Sequence, residues 1–194
     1  MIHGFDHAGH LQIALEFLNN NGVVIIPTDT SYAFACAMSN KTGIERMAQL
    51  KGIRMDKARF SIVCSDLSNL ATFSKPIPTP FFRLLKNHTP GAYTFLLHAS
   101  PLIPKIFLSR RTSIGLRVPN HALLRELVAL LGQPLAVTTV PFEDFSQDEL
   151  VESWEAKVSA IFLNESATHD QSTVVDLTGN TPVVVRQGKA PFEI

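Results

Sequence analysis

The sequence predicts a three-layer α/β (α+β) domain, in which a twisted sheet of mixed parallel and antiparallel strands is flanked by helices. Short apolar runs alternate with amphipathic helical segments in some parts of the chain and follow one another directly in others. The first arrangement is typical of parallel strands joined by helices, and the second of antiparallel hairpins. With 194 residues the chain can bury one good core, so we expect a single domain over residues 1–194.

The composition excludes several classes of protein. Seventeen basic and seventeen acidic residues cancel, so net charge does not predict nucleic-acid binding, and 45% hydrophobic residues indicate a globular chain. No GxGxxG, Walker A, HExxH or paired CxxC motif occurs. Cys36 and Cys64 have apolar neighbours and are predicted to be buried thiols in a reducing compartment. With no signal pattern and no run of transmembrane length, we expect a cytoplasmic protein without a membrane partner.

The central element is an apolar strand that ends in a run of polar side chains. Residues 23–26 are β-branched and apolar, which is typical of a strand buried on both faces, and Pro27 ends it because proline has no N–H for the ladder. Ligands bind at strand ends in open α/β sheets, so the loop after Pro27 is a candidate site. Alternatively, its side chains only satisfy loop backbone groups. The loop contains Thr28, Asp29, Thr30, Ser31 and Tyr32.

The elements around this strand follow from hydrophobic periodicity. A helix precedes it and ends at a predicted glycine cap, Gly22, and residues 32–38 predict a second strand paired with the first. A second helix begins at Asn40 or Ser39. The predicted inner faces of the two helices are Leu11, Ala14, Phe17, Leu18 and Ile44, Met47, Ala48, Leu50.

The rest of the chain is predicted to complete the sheet. Strands are expected at 60–64, 93–97, 113–119, 135–137 and 160–163, with a closing hairpin from 172–176 and 182–188. Helices are expected after Asp66, around Phe81, Phe82, Leu84 and Leu85 with these four side chains inward, and at 101–108, 120–131 and 143–157.

Two groups of cations are candidates for anion binding. The segment 51–59 contains four cations and one acid; such segments are usually solvated, but this one can fold over the strand-end crevice, where cations would suit a polyphosphate. Arg117 lies in a predicted buried strand and must therefore meet either a structural carboxylate or an anionic ligand. Thr138 and Thr139 repeat the pattern of hydroxyls after a buried strand.

The N-terminal segment contains His3, Asp6, His7 and His10. Two histidines three or four residues apart with an acid nearby can hold a metal ion. Such residues more often lie on a solvated surface near a terminus, so no metal site is predicted here.

Six stretches, in order, resemble the motifs of YrdC-like proteins, the threonylcarbamoyl-AMP synthase family. The resemblance extends over residues 8–189, and residues 83–94 look closest to the YciO branch. The stretches are GVVIIPTDTSY at 22–32, PGAYT at 90–94, GLRVP at 115–119, GQPL at 132–135, STVVD at 172–176 and VRQG at 185–188.

The resemblance implies a YrdC-type fold with a concave, positively charged groove. It also implies a reaction in which L-threonine, bicarbonate and ATP form threonylcarbamoyl-AMP and pyrophosphate, for modification of adenosine 37 in certain tRNAs. ATP is thus an expected substrate, with Mg²⁺ as a bridge between its phosphate oxygens. A double-stranded-RNA-binding role is also attributed to the family, so tRNA or double-stranded RNA is an expected partner.

The resemblance also assigns roles to residues. Lys51 and Arg54 would contact the triphosphate and would form the catalytic set with Thr139. Further nucleotide contacts would come from Arg117, Thr138, Thr139, Ser172, Thr173 and Arg186. The threonine pocket would be lined by Thr28, Thr30 and Tyr32.

Departures from the family pattern leave a second function open. The family's Lys-x-Arg-Pro is here KGIRM at 51–55, with the arginine one place later and no proline, and Ala33 replaces a glycine. The family's Ser-Thr-Ser-Ala-Asn is here VTTVP at 137–141, and Pro141 offers neither an amide side chain nor an N–H. The alternative is a YciO-type nucleotide- or double-stranded-RNA-binding protein without synthase activity.

Overall fold

The computed structural model describes residues 1–109, 111–141, 146–165 and 167–193. The strands in these residues are β1 (Ile2–Gly4), β2 (Val24–Pro27), β3 (Tyr32–Ala37), β4 (Ser61–Val63), β5 (Tyr93–His98), β6 (Ser113–Arg117), β7 (Leu135–Thr139), β8 (Ala160–Leu163), β9 (Thr173–Asp176) and β10 (Val183–Arg186). The helices are α1 (Ala8–Asn19), α2 (Lys41–Leu50), α3 (Leu67–Thr72), α4 (Thr79–His88), α5 (Ala122–Leu131) and α6 (Gln147–Trp154).

All these strands belong to one open sheet. Its order is β1-β8-β2-β3-β7-β4-β6-β5-β9-β10. Parallel pairs, such as β4 with β6 and β5 with β9, stand beside antiparallel pairs, such as β2 with β3 and β9 with β10. The mixed sheet flanked by helices confirms the predicted fold class, and the pairing of β2 with β3 and of β9 with β10 confirms the two predicted hairpins.

The two faces of the sheet carry separate apolar cores, because side chains alternate between the faces of a strand. In β2, Ile25 packs in the larger core with α2, α3, α4 and α6, whereas Val24 and Ile26 pack in the smaller core with α1 and α5. The same alternation divides Phe34 of β3 from Ala33 and Ala35. The result is the three-layer arrangement of helices, sheet and helices.

The smaller core covers only part of its sheet face. Ten strands about 4.8 Å apart form a sheet roughly 43 Å wide, while each helix is only about 10 Å across. The helix α1 contacts β2, β3, β8 and α5, which places the two helices over the β8-β2-β3-β7 side. The β4-β6-β5-β9 side of this face therefore lacks a covering helix among the described residues, and the loops around it enclose a hollow.

Several helix boundaries agree with the predicted caps. The side chains of Asn40 and Asp66 accept hydrogen bonds from backbone N–H groups in the first turns of α2 and α3. Gly132 ends α5 with φ of 71°, in the left-handed region that glycine adopts easily. At the end of α1 the predicted glycine cap was wrong, because the residue in the left-handed region is Asn21, with φ of 58°. Glycine at position 22 is needed for another reason, since a side chain there would lie 2.7 Å from the carbonyl oxygen of Phe17.

Other differences from the predicted elements concern short or edge segments. The strand β1 was not predicted; its three residues pair with β8 at the edge of the sheet, and three residues show no periodicity. The predicted helix at 101–108 is only a 3₁₀ turn at Lys105–Phe107. The predicted helix at 143–157 is α6, and positions 143–145 lie outside the described residues. Among the described residues, none of the helices has both the length and the apolar character needed to cross a membrane.

The orientation of α4 also differs from the prediction. Phe81 and Leu85 are buried, as expected of residues one turn apart, but Phe82 is 39% exposed and Leu84 is only partly buried. Four inward side chains at these positions would spread over roughly 160° of the helix circumference, whereas α4 contacts the core along one narrower stripe.

We expect Phe81→Ala to destabilise the protein far more than Phe82→Ala. Phe81 is 8% exposed and packs in the larger core, so its truncation leaves a cavity and should lower the free energy of unfolding by about 3 kcal/mol. The neighbouring Phe82 is a matched control with an expected loss of about 1 kcal/mol or less. Urea denaturation of both variants measures the difference. Equal losses would contradict the assignment of the buried stripe.

Candidate functional site

A cavity of about 460 Å³ opens on the side of the sheet that α1 and α5 leave uncovered. Five cationic side chains reach its wall, and no carboxylate is among the described residues that line it. Hydroxyl residues from six separate segments also line it. The cations are Lys51, Arg59, Arg111, Arg117 and Arg186, and the hydroxyl residues include Thr28, Thr30, Ser31, Thr94, Thr138, Thr139 and Ser172.

The floor of the cavity is a row of side chains across adjacent strands. Val137 of β7 lies opposite Ser61 of β4, Ser61 lies opposite Gly115 of β6, and Gly115 lies opposite Leu96 of β5. All four line the cavity. A side chain at Gly115 would stand 2.9 Å from Cγ2 of Thr94 and 3.1 Å from Oγ of Ser61, so glycine keeps the middle of the floor low. The register of the sheet therefore sets the depth of the hollow.

Lys51 is held at the cavity wall by the end of β7. Its Nζ donates to Oγ1 of Thr138 at 3.2 Å and to the carbonyl oxygen of Thr139 at 2.9 Å. Burial lowers the pKa of the ammonium below its ordinary value, because the charged form loses hydration there. The protein thus fixes a partly desolvated cation at the wall.

Arg117 and Asp29 form a buried ion pair between β6 and the loop after β2. Nη2 of Arg117 lies 2.5 Å from Oδ1 of Asp29, and both side chains are less than a tenth exposed. The other carboxylate oxygen accepts from the backbone N–H of Asn120 at 2.7 Å. Burial lowers the pKa of the Arg117 guanidinium and the nearby Asp29 raises it. Nε of Arg117 is buried with no hydrogen-bond partner in the described part of the chain, and a ligand anion in the cavity would complete its bonding.

Arg186 closes the opposite wall from the edge strand β10. Its Nε and Nη2 donate to the carbonyl oxygen of Ser172 at 3.1 and 2.8 Å. The hydroxyl of Ser172 is 2.9 Å from that of Thr94. The segment after β10 can pass this close to residues 171 and 172 only because position 188 is glycine. A Cβ there would lie 2.2 Å from the carbonyl oxygen of Gln171. Arg186 and Ser172 are therefore brought to the cavity as one unit.

Thr28 and Thr30 line the cavity, yet their hydroxyls mainly bond within the loop. Oγ1 of Thr28 donates to the carbonyl oxygen of Ser31 at 2.7 Å and accepts from the backbone N–H of Thr30 at 3.1 Å. It is also 3.0 Å from Oγ1 of Thr30. Both readings of this loop thus have a basis: it faces the cavity, and its side chains satisfy the loop's own polar groups.

Three residues with predicted roles lie outside the cavity wall. Tyr32 is buried, and its hydroxyl donates to the carbonyl oxygen of Asn164 at the end of β8. Arg54 is an exposed side chain that pairs with Asp56. Thr173 is fully buried, and its hydroxyl bonds the carbonyl oxygen of Ala190. The direct roles predicted for them would require different side-chain positions. The other eight predicted site residues line the cavity.

Two further cavity cations are Arg111, which had no predicted role, and Arg59, which was predicted only as one of the cations of segment 51–59. Each lies two residues before the start of a strand, Arg59 before β4 and Arg111 before β6. These strands are parallel neighbours, so both begin on the same side of the sheet, where the N-terminal ends of the two strands lie together. The spacing of arginine and strand was visible in the sequence, but the pairing of β4 with β6 was not, because β5, two helices and a 3₁₀ turn separate them along the chain.

Two other groups of reactive side chains lie away from the cavity. Cys36 and Cys64 are buried, and burial raises the pKa of both thiols, that of Cys36 to about 12, so neither supplies a thiolate nucleophile. Asp6, His7 and His10 bring one ligand atom each to within 4.8 Å of one another at the start of α1. They share no position with the cavity lining.

The geometry indicates a site for a ligand with several negative charges. Desolvated cations and neutral donors stabilise anions and anionic transition states, and the apolar floor suits the uncharged part of such a ligand. A cavity of this volume falls in the range of small-molecule sites. General acid–base chemistry by a carboxylate, a histidine or a thiol has no candidate in the described lining.

Comparison with known proteins gives one family. The family model Sua5_yciO_yrdC, described as "Telomere recombination", matches residues 16–188. Escherichia coli K12 YciO, which is described as uncharacterized, is 36% identical over 181 residues, covering 90% of this chain and 87% of YciO. A threonylcarbamoyl-AMP synthase of Pyrococcus abyssi is 26% identical over 188 residues, covering 94% of this chain and 55% of that protein. The synthase of Nitrosococcus oceani is 29% identical over 129 residues, or 66% and 69%.

Solved structures agree in fold. The crystal structure of E. coli YciO superposes with a TM-score of 0.86 and 34% identity, covering 97% of this chain and 93% of that one. P. abyssi Sua5, solved in complex with L-threonine, gives a TM-score of 0.87 with 24% identity, covering 97% and 57%. At that identity, the second likeness concerns the fold alone.

We expect Asp29→Asn to destabilise the protein because it leaves the Arg117 charge buried without its counter-ion. Breaking a buried ion pair from one side costs about 3–5 kcal/mol. Asp170→Asn is the matched control, since the Asp170–Lys189 pair is 38–47% exposed and such exposed pairs contribute little to stability. Chemical denaturation measures both. If Asp29→Asn cost no more than the control, the ion pair would not be the element that fixes the loop.

Proposed function

Because this chain belongs to the Sua5/YciO/YrdC family, we propose that it is an ATP-dependent synthase of the threonylcarbamoyl-AMP type. Its substrates are L-threonine, bicarbonate and ATP. The observation that supports this most is the convergence of five cations and several hydroxyls, without a carboxylate among the described lining residues, on one cavity of about 460 Å³. ATP and bicarbonate are anions and L-threonine carries a carboxylate, and the product's nucleotide needs an apolar surface as well.

The chemistry needs charge stabilisation more than a general base. Threonine and bicarbonate combine with loss of water to give an N-carboxylated threonine. A carboxylate oxygen of this carbamate forms a bond to the α-phosphorus of ATP, and the bond from that phosphorus to the bridging α–β oxygen breaks. Pyrophosphate leaves with the electron pair. Charge is redistributed over phosphate oxygens throughout, so positioned cations and dipoles are the main catalytic devices.

The lining residues have distinct parts in this proposal. Lys51, held by Thr138 and Thr139, neutralises the phosphate that reacts. Arg117 and the Arg186–Ser172 unit bind anionic groups on the other side of the cavity. The hydroxyl of Thr139, which is exposed at the end of β7, donates to the carbamate or the phosphate. The floor from Val137 to Leu96 supports the nucleoside.

The described lining of the cavity offers no carboxylate ligand for a magnesium ion. Mg²⁺ usually takes one or two carboxylates with phosphates and water, and the described lining has no carboxylate. The carboxylate of Asp29, whose partner Arg117 lines the cavity, is already bonded to Arg117 and to the N–H of Asn120. A magnesium ion would therefore arrive with the nucleotide, bound by phosphate oxygens and water.

One observation favours a second candidate, a nucleotide- or RNA-binding protein without synthase activity. Pro141 stands two residues after Thr139, the last residue of β7, where the family pattern has an asparagine, and it has neither an amide side chain nor an N–H. YciO, at 36% identity, is described as uncharacterized, whereas the named synthases are 26–29% identical. In this reading the cavity binds a nucleotide or an RNA phosphate, and binding falls steeply as salt rises.

We expect the purified protein to release pyrophosphate from ATP only when L-threonine and bicarbonate are both present. Lys51→Ala should lower the rate by roughly 10²–10³-fold, because it removes a cation from the reacting phosphate. Lys57→Ala is the matched control, since Lys57 is an exposed cation of the same segment that does not line the cavity, and it should keep the wild-type rate. A coupled pyrophosphate assay measures all three proteins.

The two candidates give different results in that assay. Nucleotide binding without pyrophosphate release would reject the synthase and favour the second candidate, which salt-dependent binding of tRNA or duplex RNA would then support. Release that is unaffected by Lys51→Ala would place the chemistry outside the cavity.

The affinity for ATP should fall with rising pH earlier than an ordinary lysine would allow. Only the protonated ammonium of Lys51 attracts phosphate, and burial lowers its pKa. Its contribution is complete below that lowered pKa and is lost as the pH rises through it. Lys51→Arg stays charged throughout and should flatten the profile. Calorimetric titration from about pH 7 to about pH 10 tests this; identical slopes for both proteins would exclude Lys51 as the titrating group.

A further inference from the structure

Arg59 and Arg111 bring two guanidinium groups together at the cavity wall. Nη2 of Arg111 lies 2.8 Å from the carbonyl oxygen of Ala58, and Nη1 of Arg59 lies 3.4 Å from the same oxygen. Two positive charges thus converge on one buried backbone oxygen. A carbonyl oxygen can accept both hydrogen bonds, but the arrangement brings two guanidinium charges together at one backbone oxygen.

No carboxylate neutralises this pair in the part of the chain that the structure describes. Arg59 donates to the carbonyl oxygens of Lys57 and Ala58, and Arg111 to that of Ala58. Asp56 borders a neighbouring hollow with both arginines, but its two carboxylate oxygens are bound by the guanidinium of Arg54. The pKa of Arg111 is lowered by burial and by the charge of Arg59, which means that the two cations repel each other. An anion between them would relieve that repulsion.

Most of the donors of the pair remain available. Each guanidinium has five N–H groups in a planar fork, and the carbonyl oxygens of Lys57 and Ala58 use few of them. Both side chains line the cavity. Paired guanidiniums facing an open cavity suit phosphate, whose oxygens accept two parallel hydrogen bonds from one fork.

The position of the pair separates it from the other arginines of the cavity. Arg111 precedes β6 and Arg117 ends it, six residues later, which corresponds to roughly 20 Å along a strand. Lys51 is connected to the first group, since Thr138, which accepts from its Nζ, donates to the carbonyl oxygen of Arg59 at 3.4 Å. One end of the cavity therefore has Lys51, Arg59 and Arg111, and the other has Arg117 and Arg186.

We propose that Arg59 and Arg111 form a subsite for a diphosphate group, which takes the two terminal phosphates of a nucleoside triphosphate and holds them as pyrophosphate after the reaction. The identity of the ligand rests on the proposed function, whereas the diphosphate subsite itself rests on the geometry of the pair. Lys51 then lies between this subsite and the rest of the cavity, beside the α-phosphate. The subsite performs the task that the sequence assigned to Arg54, whose side chain points to solvent and to Asp56.

The test is the binding of inorganic pyrophosphate and of AMP to the full chain, measured by calorimetry. Arg59→Gln and Arg111→Gln should each weaken pyrophosphate binding by roughly 10–100-fold, because each removes hydrogen bonds to a charged group. AMP, which lacks the two terminal phosphates, should bind all variants within about twofold of the wild type. Lys57→Gln, which removes an exposed cation of the same segment, controls for a change in overall charge.

Conservative variants separate a binding role from a structural one. Arg59→Lys and Arg111→Lys keep the charge but lose the planar fork, so they should bind pyrophosphate with intermediate affinity and unfold at the wild-type denaturant concentration. If Arg59→Gln and Arg111→Gln bind pyrophosphate as the wild type does, or if Lys57→Gln weakens it equally, the subsite is rejected.

The proposed function and the subsite fail separately. Pyrophosphate binding that depends on Arg59 and Arg111, in a protein that releases no pyrophosphate from its substrates, supports the subsite and rejects the synthase. A working synthase whose pyrophosphate affinity is indifferent to both arginines supports the function and rejects the subsite. A wild-type protein that binds AMP but not pyrophosphate also rejects the subsite.

Discussion

The ion pair between Asp29 and Arg117 is the interaction on which the cavity depends. It joins the loop after β2 to the end of β6, although β3, β7 and β4 stand between these strands in the sheet. The cost of burying two charges is offset only because both are well bonded, the carboxylate by Arg117 and by the N–H of Asn120. Lys189 adds a bond to the carbonyl oxygen of Asp29, and Thr168 donates to that of Thr30. The loop is thus fixed from both sides before any ligand arrives.

The cavity exists because a wide sheet is covered by too few helices on one face. Where α1 and α5 end, the floor of the sheet is open, and loops and strand ends supply the walls. A cation placed there is partly desolvated, which strengthens its interaction with an anion. Lys51 illustrates this desolvation, because burial lowers the pKa of its ammonium group.

The family resemblance predicted many residues of the cavity wall, but it predicted the directions of individual side chains less well. Lys51, Arg117, Thr139, Ser172 and Arg186 reach the cavity. Arg54 and Tyr32 belong to the same motifs and point elsewhere. In a loop, a shift of one position turns a side chain to another direction. Arg54 is displaced in this way, since it stands one place later than the arginine of the family's Lys-x-Arg-Pro pattern. Arg59 and Arg111 supply charge at the cavity wall instead.

The sequence by itself determined most of the elements and the faces that several of them bury. The apolar runs of β2 and β3, the helical periodicity of α1 and α2, and the caps Asn40, Asp66 and Gly132 are local properties of neighbouring residues. Tertiary structure decided which elements became neighbours. The pairing of β4 with β6, which brings Arg59 to Arg111, joins residues more than fifty positions apart. The bond from Arg117 to Asp29 joins residues 88 positions apart. No local pattern records such contacts, because they depend on how the whole sheet assembles.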